Sequence, residues 1–391
     1  MSTVLVACRV MGISLLAVAG SISLVACDSN GGGSGGGPEI TKIIGRSGDG
    51  AGNFLLGPTS VIVKPKGKVY VVGSFSNNVF EITSGGSITE IIDETGDGAG
   101  QELKIGFLNS VATAGVAVAP NNNVYVVGGV SNNAFSITPG GTITQIIDAT
   151  GDGAGNSLTR PDGVAVAPNG NVYVVGSTSD NVFEITPGGV ITQIIDATGD
   201  GAGNALDLPT GIAVDLNGNV FVAGVRSDNV FEITPGGVIT QIIDATGDGT
   251  GNPLVGPTGL AVDPAGNLYV AGGESNNAFS ITPGGTITQI IDADGDKTGD
   301  GTCVATDARS KNPFCQARGI DVGPDGNVYV TGSSSDNVFR IRPSGTIKEI
   351  LDETGDDEDP TVRVYTGIAV DGRGDVYVVT TAKNNVLRLE F

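Results

Sequence analysis

The sequence predicts an all-β fold made from one unit that is repeated along the chain. Three observations support this. The segment Ser179–Gly201 recurs without a change at Ser227–Gly249, which lies 48 residues later. Each unit holds four short apolar runs rich in Val, Ile, Tyr, Phe and Thr, the residues that strands prefer. No run has the length and the period of an amphipathic helix.

Each unit is predicted to form four antiparallel strands, which we name a to d. In the copy that begins at Gly163 they read GVAVA, NVYVVG, VFEIT and VITQIID. Asn169-Gly170 separates strands a and b and is typical of a tight hairpin turn. Pro187-Gly188-Gly189 separates strands c and d. A four-stranded sheet cannot bury both of its faces alone, so neighbouring units must cover them.

Seven copies of the unit can be counted. They begin at equivalent positions, namely Ser60, Gly115, Gly163, Gly211, Gly259, Gly319 and Gly367. The last copy has only strands a to c before the chain ends, whereas Glu39–Ile44 near the amino terminus has the strand-d pattern. If that segment completes the last sheet, the ring closes and no sheet edge stays exposed. The sequence therefore predicts a seven-bladed β-propeller of four-stranded antiparallel blades. A solenoid is the alternative, but it has no use for a strand borrowed across the whole chain.

The first residues differ in composition from the repeats. Arg9 is the only charged residue before the apolar run Met11–Val25, as in a secretory signal. The sequence Leu24-Val25-Ala26-Cys27 resembles the end of a bacterial lipoprotein signal, in which the cysteine becomes the lipidated first residue. We predict a signal peptide over residues 1–26 and lipid attachment at Cys27. An ordinary signal peptide and a transmembrane anchor are the alternatives.

A Gly/Ser-rich tether is predicted over residues 27–38, because such a composition behaves as flexible coil. Residues 39–391 then form one propeller domain. We expect an exported, monomeric protein that is lipid-anchored to the bacterial cell envelope and faces the extracytoplasmic side. The formal net charge of −22 repels phosphate backbones, so no nucleic-acid partner is expected.

Two cysteines lie together in the large insertion Lys297–Arg318 of the fifth unit. In an exported protein, Cys303 and Cys315 are expected to form a disulfide, which would stabilise the fold by about 3 kcal/mol. Two thiolates alone make a poor metal site. The insertion is either a partner site or a stapled surface loop.

Antiparallel order places the b–c and d–a connections on one face of the ring. The opposite face carries only tight turns. The b–c loop holds Ser-Asn-Asn or Ser-Asp-Asn in six units, and the d–a loop is long. Longer polar loops on a rigid scaffold usually carry binding. We therefore expect a ligand on this face or in the central channel beneath it.

The d–a loops repeat the pattern Asp-x-x-Gly-Asp. The copy with Asp292, Asp294 and Asp296, followed by Asp300, is the closest to the start of a calcium-binding loop, which has oxygen ligands at positions 1, 3 and 5 and Gly at 6. The alternative, favoured for the other copies, is that Asp and Gly serve as turn residues. We expect no cofactor, apart from calcium at this one loop.

The residue before each unit start is predicted to ring the mouth of the channel. Most of these residues are Thr, but Asp162 and Arg318 break the pattern, and Asp321 replaces an Ala in strand a of the sixth unit. They are the candidates for an asymmetric polar site.

The unit resembles the NHL repeat. The resemblance lies in P-x-G-[IV]-A-V-D-x-x-G-N-[VL]-Y-V, present here as Pro257–Val270, and it covers residues 39–391. It implies a propeller. NHL strand c commonly carries Asn-x-Arg-Ile, but here it reads Asn-Val-Phe or Asn-Ala-Phe. The basic position used by some ligand-binding and RNA-binding members is therefore absent.

Two functional classes remain for such a propeller. The first is a non-catalytic binding scaffold at the cell envelope, with a protein, peptide or carbohydrate ligand. The second is a metal-dependent hydrolase of the gluconolactonase type. The chain has no His, which excludes His-dependent acid–base chemistry and His–zinc sites. The near identity of the third and fourth units also argues against an asymmetric catalytic site, so we predict the scaffold.

Overall fold

The computed structural model describes residues 37–64, 67–106, 115–296, 313–352 and 364–391. Residues 37–391 form one compact unit. Cys27, Asp300 and Cys303 lie outside the described residues. Among the described residues, no helix has the length and hydropathy needed to cross a membrane.

The described residues form 28 strands, four in each of seven blades. Blade 1 contains β2 (Pro58–Val63), β3 (Val69–Gly73), β4 (Asn78–Ile82) and β5 (Ile88–Ile92). Blade 2 contains β6 (Val116–Val118), β7 (Val124–Gly128), β8 (Asn133–Ile137) and β9 (Ile143–Ile147). Blade 3 contains β10 (Pro161–Val166), β11 (Val172–Gly176), β12 (Asn181–Ile185) and β13 (Ile191–Ile195). Blade 4 contains β14 (Pro209–Val214), β15 (Val220–Gly224), β16 (Asn229–Ile233) and β17 (Ile239–Ile243). Blade 5 contains β18 (Pro257–Val262), β19 (Leu268–Gly272), β20 (Asn277–Ile281) and β21 (Ile287–Ile291). Blade 6 contains β22 (Ala317–Val322), β23 (Val328–Gly332), β24 (Asn337–Ile341) and β25 (Ile347–Leu351). Blade 7 contains β26 (Tyr365–Val370), β27 (Val376–Thr380), β28 (Asn385–Glu390) and, from the amino terminus, β1 (Glu39–Ile44).

The amino-terminal strand closes the ring as the sequence predicts. The last sheet has the order β1-β28-β27-β26, and β1 pairs antiparallel with β28, with Ile40 opposite Leu389 and Lys42 opposite Leu387. The first strands of neighbouring blades contact one another around the ring, including β26 with β2. The prediction of a seven-bladed all-β propeller is therefore confirmed.

The core is divided among the blade interfaces. Each of the seven hydrophobic clusters takes residues from two consecutive blades. Between blades 3 and 4, for example, Tyr173 and Val175 pack with Val222 and Phe231. The phenylalanine of strand c is fully buried in blades 1 to 6. Since each blade is covered on both faces by its neighbours, the ring as a whole is the stable unit.

The glycine of the repeated P-x-G motif is required by the close approach of neighbouring first strands. A Cβ atom on Gly211 would lie 2.3 Å from the carbonyl oxygen of Thr258 in the next blade. At Gly211 a larger residue would push the two inner strands apart, whereas blade 1 accommodates Ser60 at the equivalent position. This glycine therefore sets the spacing at the centre of the ring.

Candidate functional site

The Ser-Asn/Asp-Asn motif of the b–c loop holds the d–a loop of its own blade. In blade 3, the Ser179 hydroxyl donates to Asn181 Oδ1 at 2.7 Å and accepts from the N–H of Thr159 at 3.0 Å. The Asn181 amide donates to the carbonyl of Ser157 at 3.0 Å. The same three bonds recur in the other five blades with this motif. We call this set of bonds the loop clamp.

The middle residue of the motif connects consecutive blades. The Asp180 carboxylate accepts the N–H of Leu208 in blade 4 at 2.8 Å, and Asp180 has a positive φ of 51°. The equivalent acceptor–donor pairs are Asn77–Ile105, Asn132–Arg160, Asp228–Gly256, Asn276–Gln316, Asp336–Val364 and Asn384–Gly57. The last pair joins blade 7 to blade 1. Much of the polarity that marks this face in the sequence therefore stabilises the ring.

The Asp-x-x-Gly-Asp loops are built as hydrogen-bonded turns. Asp152 Oδ1 accepts the N–H of Ala154 at 2.9 Å, and its Oδ2 accepts the side-chain amide of Asn156 at 2.7 Å. These hydrogen bonds, the one from Asn156 first, lower the pKa of Asp152. Asp148 similarly accepts both the N–H and the hydroxyl of Thr150. This geometry supports the turn interpretation for these copies.

The calcium prediction concerns the fifth copy. Asp292 accepts the N–H of Asp294 at 3.1 Å, and Asp296 lies in the same turn. The fourth predicted ligand, Asp300, lies outside the described residues. In the described part of the chain, no three Cys, Asp or Glu side chains are arranged so that they could hold a metal ion. Calcium binding at this loop stays a prediction.

Cys315 is disulfide-bonded and buried, and its N–H donates to the Ser335 hydroxyl of the clamp at 3.1 Å. Because Cys303 lies outside the described residues, the pairing of these two cysteines stays a prediction.

Of the channel-mouth candidates, Arg318 and Asp321 lie in blade 6. Arg318 Nε donates to the Ser333 hydroxyl at 2.9 Å. Asp321 accepts the N–H of Val322 and, across the blade interface, the N–H of Val370 at 2.7 Å. Burial raises the pKa of Asp321 to about 6, against the two hydrogen bonds, which lower it. This carboxylate therefore links blades 6 and 7.

The third candidate, Asp162, lies in blade 3 and lines a cleft on the face that carries the b–c and d–a loops. The cleft spans blades 3 to 5 and has a volume of about 400 Å³. Its polar lining residues are Arg160, Asp162, Thr210, Arg226, Asp228 and Glu274. Leu208, Val225 and Val255 form its apolar wall. The structure thus places one of the three predicted residues in a cleft with several charged neighbours.

Two residues that line this cleft each have a buried polar atom without a hydrogen-bond partner among the described residues. These atoms are Arg160 Nε and Thr210 Oγ1. Arg160 Nε lies 3.6 Å from Asp162 Oδ2, an ion pair that is too long for a hydrogen bond. Burial raises the pKa of the Asp162 carboxyl, while a hydrogen bond with Ser177 and the charge of Arg160 lower it. The cleft therefore holds an anionic side chain and two donors that protein atoms do not satisfy.

The orphan hydroxyl of Thr210 has a local cause. In blades 1 and 7 the equivalent threonines bond a hydroxyl at the start of the b–c loop, Thr59 with Ser74 at 2.6 Å and Thr366 with Thr381 at 3.0 Å. In blade 4 that partner position is Val225, which has no polar atom. Blade 5 has Gly273 there, and the Thr258 hydroxyl instead donates to the carbonyls of Ala317 and Arg318 at 3.1 and 3.2 Å, a bond that Thr210 does not make among the described residues. Thr210 is only 1% exposed, so its hydroxyl also lacks bulk water.

Three residues of the cleft were not predicted from the sequence: Arg160, Arg226 and Glu274. Arg226 and Glu274 occupy the tip of the b–c loop, whose backbone N–H bonds the d–a loop in blades 1 to 6. Around the ring the tip residues are Phe75, Val130, Thr178, Arg226, Glu274, Ser334 and Ala382. This position differs in every blade while the clamp on either side is almost constant. That contrast within the repeat was the available signal.

Comparisons with known proteins agree with this architecture. The profile of a family described as "Beta-propeller repeat" (SBBP) matches residues 143–184 and 191–230. No curated protein matches the chain.

Among solved structures, a streptogramin B lyase has a TM-score of 0.67 at 15% identity, covering 90% of this chain and 98% of its own. A catalytically inactive histidine-to-alanine variant of virginiamycin B lyase from Staphylococcus aureus, solved with quinupristin, has a TM-score of 0.64 at 18% identity, covering 90% and 99%. Kuenenia stuttgartiensis hydrazine synthase has a TM-score of 0.57 at 15% identity, covering 86% and 96%. At these identities the likeness concerns the fold alone. The chain is a β-propeller repeat protein.

Proposed function

We propose that this protein is a non-catalytic binding scaffold of the NHL type at the bacterial cell envelope, and that its ligand occupies the cleft of blades 3 to 5. The main support is the contrast between constant and variable positions. The clamp and the inter-blade bonds recur around the ring, whereas the tip residues that the clamp presents are all different. A rigid frame with variable side chains on one face suits recognition.

The cleft supports binding more than catalysis. One neighbouring lyase is described as inactive when a histidine is replaced by alanine, and this chain has no His at all. It cannot repeat chemistry that needs an imidazole. Its polar residues at the cleft are guanidinium, carboxylate and hydroxyl groups, which can orient a ligand by hydrogen bonds and charge.

The location proposed for this scaffold follows from the amino-terminal sequence. The apolar run before Cys27 supports export and lipid attachment, and the Gly/Ser-rich segment after it supports a flexible link to the ring. A binding face that is held near a membrane by such a link can reach ligands in the surrounding envelope.

The proposal is tested with the full-length protein in mild detergent, applied to arrays of peptides and oligosaccharides. We expect ligands that are recovered unchanged and whose binding is lost in the double variant Arg226→Ala/Glu274→Ala. The matched control is Ser334→Ala, a tip residue in blade 6, which should bind as the wild type does.

A parallel assay addresses the hydrolase alternative. Lactone substrates such as gluconolactone are incubated with the protein and added divalent metal, and turnover above the uncatalysed rate is measured. We expect none. Turnover that disappears with a chelator would replace the scaffold proposal with the metal-dependent hydrolase.

A further inference from the structure

We propose that the cleft of blades 3 to 5 takes a zwitterionic ligand of the amino-acid or short-peptide class. Its carboxylate would accept hydrogen bonds from Arg160 Nε and the Thr210 hydroxyl, and its ammonium group would lie against Glu274. This inference rests on the proposed function, since it names the ligand class of the same site.

The two orphan atoms indicate what the ligand must offer. Arg160 Nε can only donate, and a hydroxyl can donate or accept. A buried polar group without a partner costs about 1–3 kcal/mol, and the cleft carries two of them. A ligand oxygen that accepts from both would remove this cost. A carboxylate has two such oxygens and forms charge-assisted bonds with guanidinium groups.

Arg226 strengthens the same end of the cleft. It extends from the b–c tip of blade 4, is exposed, and lines the cleft together with Arg160. Its side chain makes no ion pair or hydrogen bond within the described residues, although its charge reaches Asp180, where it lowers the carboxyl pKa against the larger raising effect of burial. The chain has only 20 Lys and Arg among 391 residues, and two guanidinium groups at one cleft are therefore a local excess.

A purely anionic ligand is disfavoured by the other charges. The lining holds two positive side chains and three negative ones, which gives 2 − 3 = −1, and the whole chain carries −22. Such a field repels anions at a distance. A zwitterion has no net charge, and it brings a cation for one of the carboxylates.

Glu274 is the carboxylate left for that cation. Asp162 already faces Arg160 at 3.6 Å, and Asp228 accepts the N–H of Gly256 at 2.8 Å. Glu274 is exposed, and its side chain lies beside Gly256. Within the described residues it makes no ion pair or hydrogen bond. Both guanidinium groups of the cleft thus lie in blades 3 and 4, together with Asp162 and Asp228, and the remaining carboxylate, Glu274, lies in blade 5.

The size of the cleft limits the ligand. A volume of about 400 Å³ is near the lower end of the range for small-molecule sites, about 300–1,000 Å³. An amino acid or a short peptide fits this space, whereas a long folded segment would be limited to inserting one end. The apolar wall of Leu208, Val225 and Val255 suits a small aliphatic side chain.

The test is calorimetric titration of the full-length protein with dialanine, N-acetyl-dialanine and dialanine amide. We expect dialanine to bind and each capped form to bind at least about tenfold more weakly, because each lacks one of the two charges. Equal binding of all three forms, or no binding of dialanine, would overturn the inference.

Substitutions assign the two ends of the ligand. Thr210→Val should weaken dialanine about fivefold and leave the amide unchanged. Glu274→Gln should weaken dialanine and leave the acetylated form unchanged. Thr366→Val, the same position in blade 7, is the matched control and should not change binding. If dialanine does not bind, but a ligand found on the arrays binds to the wild type and not to Arg226→Ala/Glu274→Ala, the scaffold proposal stands and the zwitterion inference is wrong.

Discussion

Blade 4 and blade 7 differ in the hydrogen bonding of the threonine that precedes strand a. In blade 7, the threonine before strand a, Thr366, bonds Thr381 at 3.0 Å. In blade 4, the position of Thr381 is taken by Val225, and the Thr210 hydroxyl has no partner among the described residues. Both blades keep their inter-blade bond and their hydrophobic interface. The frame therefore does not depend on this position, which leaves blade 4 able to present an unsatisfied donor to the cleft.

The clamp also differs between these blades. In blade 4, a Cβ atom on Gly224 would lie 2.1 Å from the Ser227 hydroxyl. The serine can therefore take this position only because residue 224 has no side chain. Blade 7 has Thr380 and Lys383 at these positions, and the Thr380 hydroxyl bonds Asn385 Oδ1. One threonine thus takes over the role of the serine. Paired substitutions of this kind show which residues act as one unit.

The largest expected effect is on ring closure, since only blade 7 is completed by the opposite end of the chain. Deleting Glu39–Ile44 should lower the free energy of unfolding by more than about 4 kcal/mol, because it exposes the edge of β28 and removes buried Ile44. Calorimetric melting measures this loss. Deletion of residues 31–36 in the tether is the control. If the variant that lacks Glu39–Ile44 melts at the same temperature as the full-length protein, blade 7 does not need β1.

The next effect concerns the clamp. Gly224→Thr should destabilise blade 4 by about 2–4 kcal/mol, because the new side chain collides with Ser227 and Asn229. Adding Ser227→Lys, which recreates the blade 7 pair, should recover about half of that loss. Denaturant unfolding gives both values. A double variant as unstable as the single one would show that the blade 7 solution is not transferable.

Blade 6 should make a pH-dependent contribution to the stability of the protein that blade 4 does not make, because blade 6 has Asp321 where blade 4 has Ala213. The pKa of Asp321 is raised from 3.8 to about 6, so the folded protein binds this proton more tightly than the unfolded chain does. The stability from this group is full below pH 4 and is lost as pH rises through 6. The melting temperature of Asp321→Asn relative to wild type should therefore rise by a few degrees between pH 4 and pH 7.

The equivalent residue in blade 4 offers the matched variant. Ala213→Asp should introduce the same fall in stability over this pH window, because Ala213 is also buried at a blade interface. If both variants melt in parallel with the wild type at every pH, the Asp321 carboxyl titrates alike in the folded and unfolded states.

The smallest effect tests the orphan hydroxyl directly. Thr366→Val should cost about 1 kcal/mol because it breaks the bond to Thr381, whereas Thr210→Val should cost nothing or stabilise slightly. The two free energies of unfolding are compared in the same denaturant series. An equal loss at both positions would mean that Thr210 has a partner in solution and would remove the unsatisfied hydroxyl on which the zwitterion inference rests.

The sequence singled out Asp162 and the face that carries the b–c and d–a loops, but it did not predict the cleft that lies there. The Ser-Asn/Asp-Asn motif was the strongest polar signal on that face, yet residues such as Asn181 are occupied in holding loops together. Arg160 precedes strand a and Arg226 follows strand b of the next blade, so nothing in their spacing predicts that they line one cleft. Asp321 was visible as a deviation, but its bond to Val370 depends on how closely blades 6 and 7 pack.

The sequence alone determined the number of blades, the strand order and the closure by β1. Repetition and hydrophobic alternation are local properties, and every copy of the unit shows them. Only the tertiary structure decided which deviations matter. Among the described residues, the buried hydroxyl of Thr210 finds neither the hydroxyl partner that Thr366 has in Thr381 nor the carbonyl partners that Thr258 has in the next blade. Burial and partnership depend on neighbours in space, and a repeat pattern does not contain them.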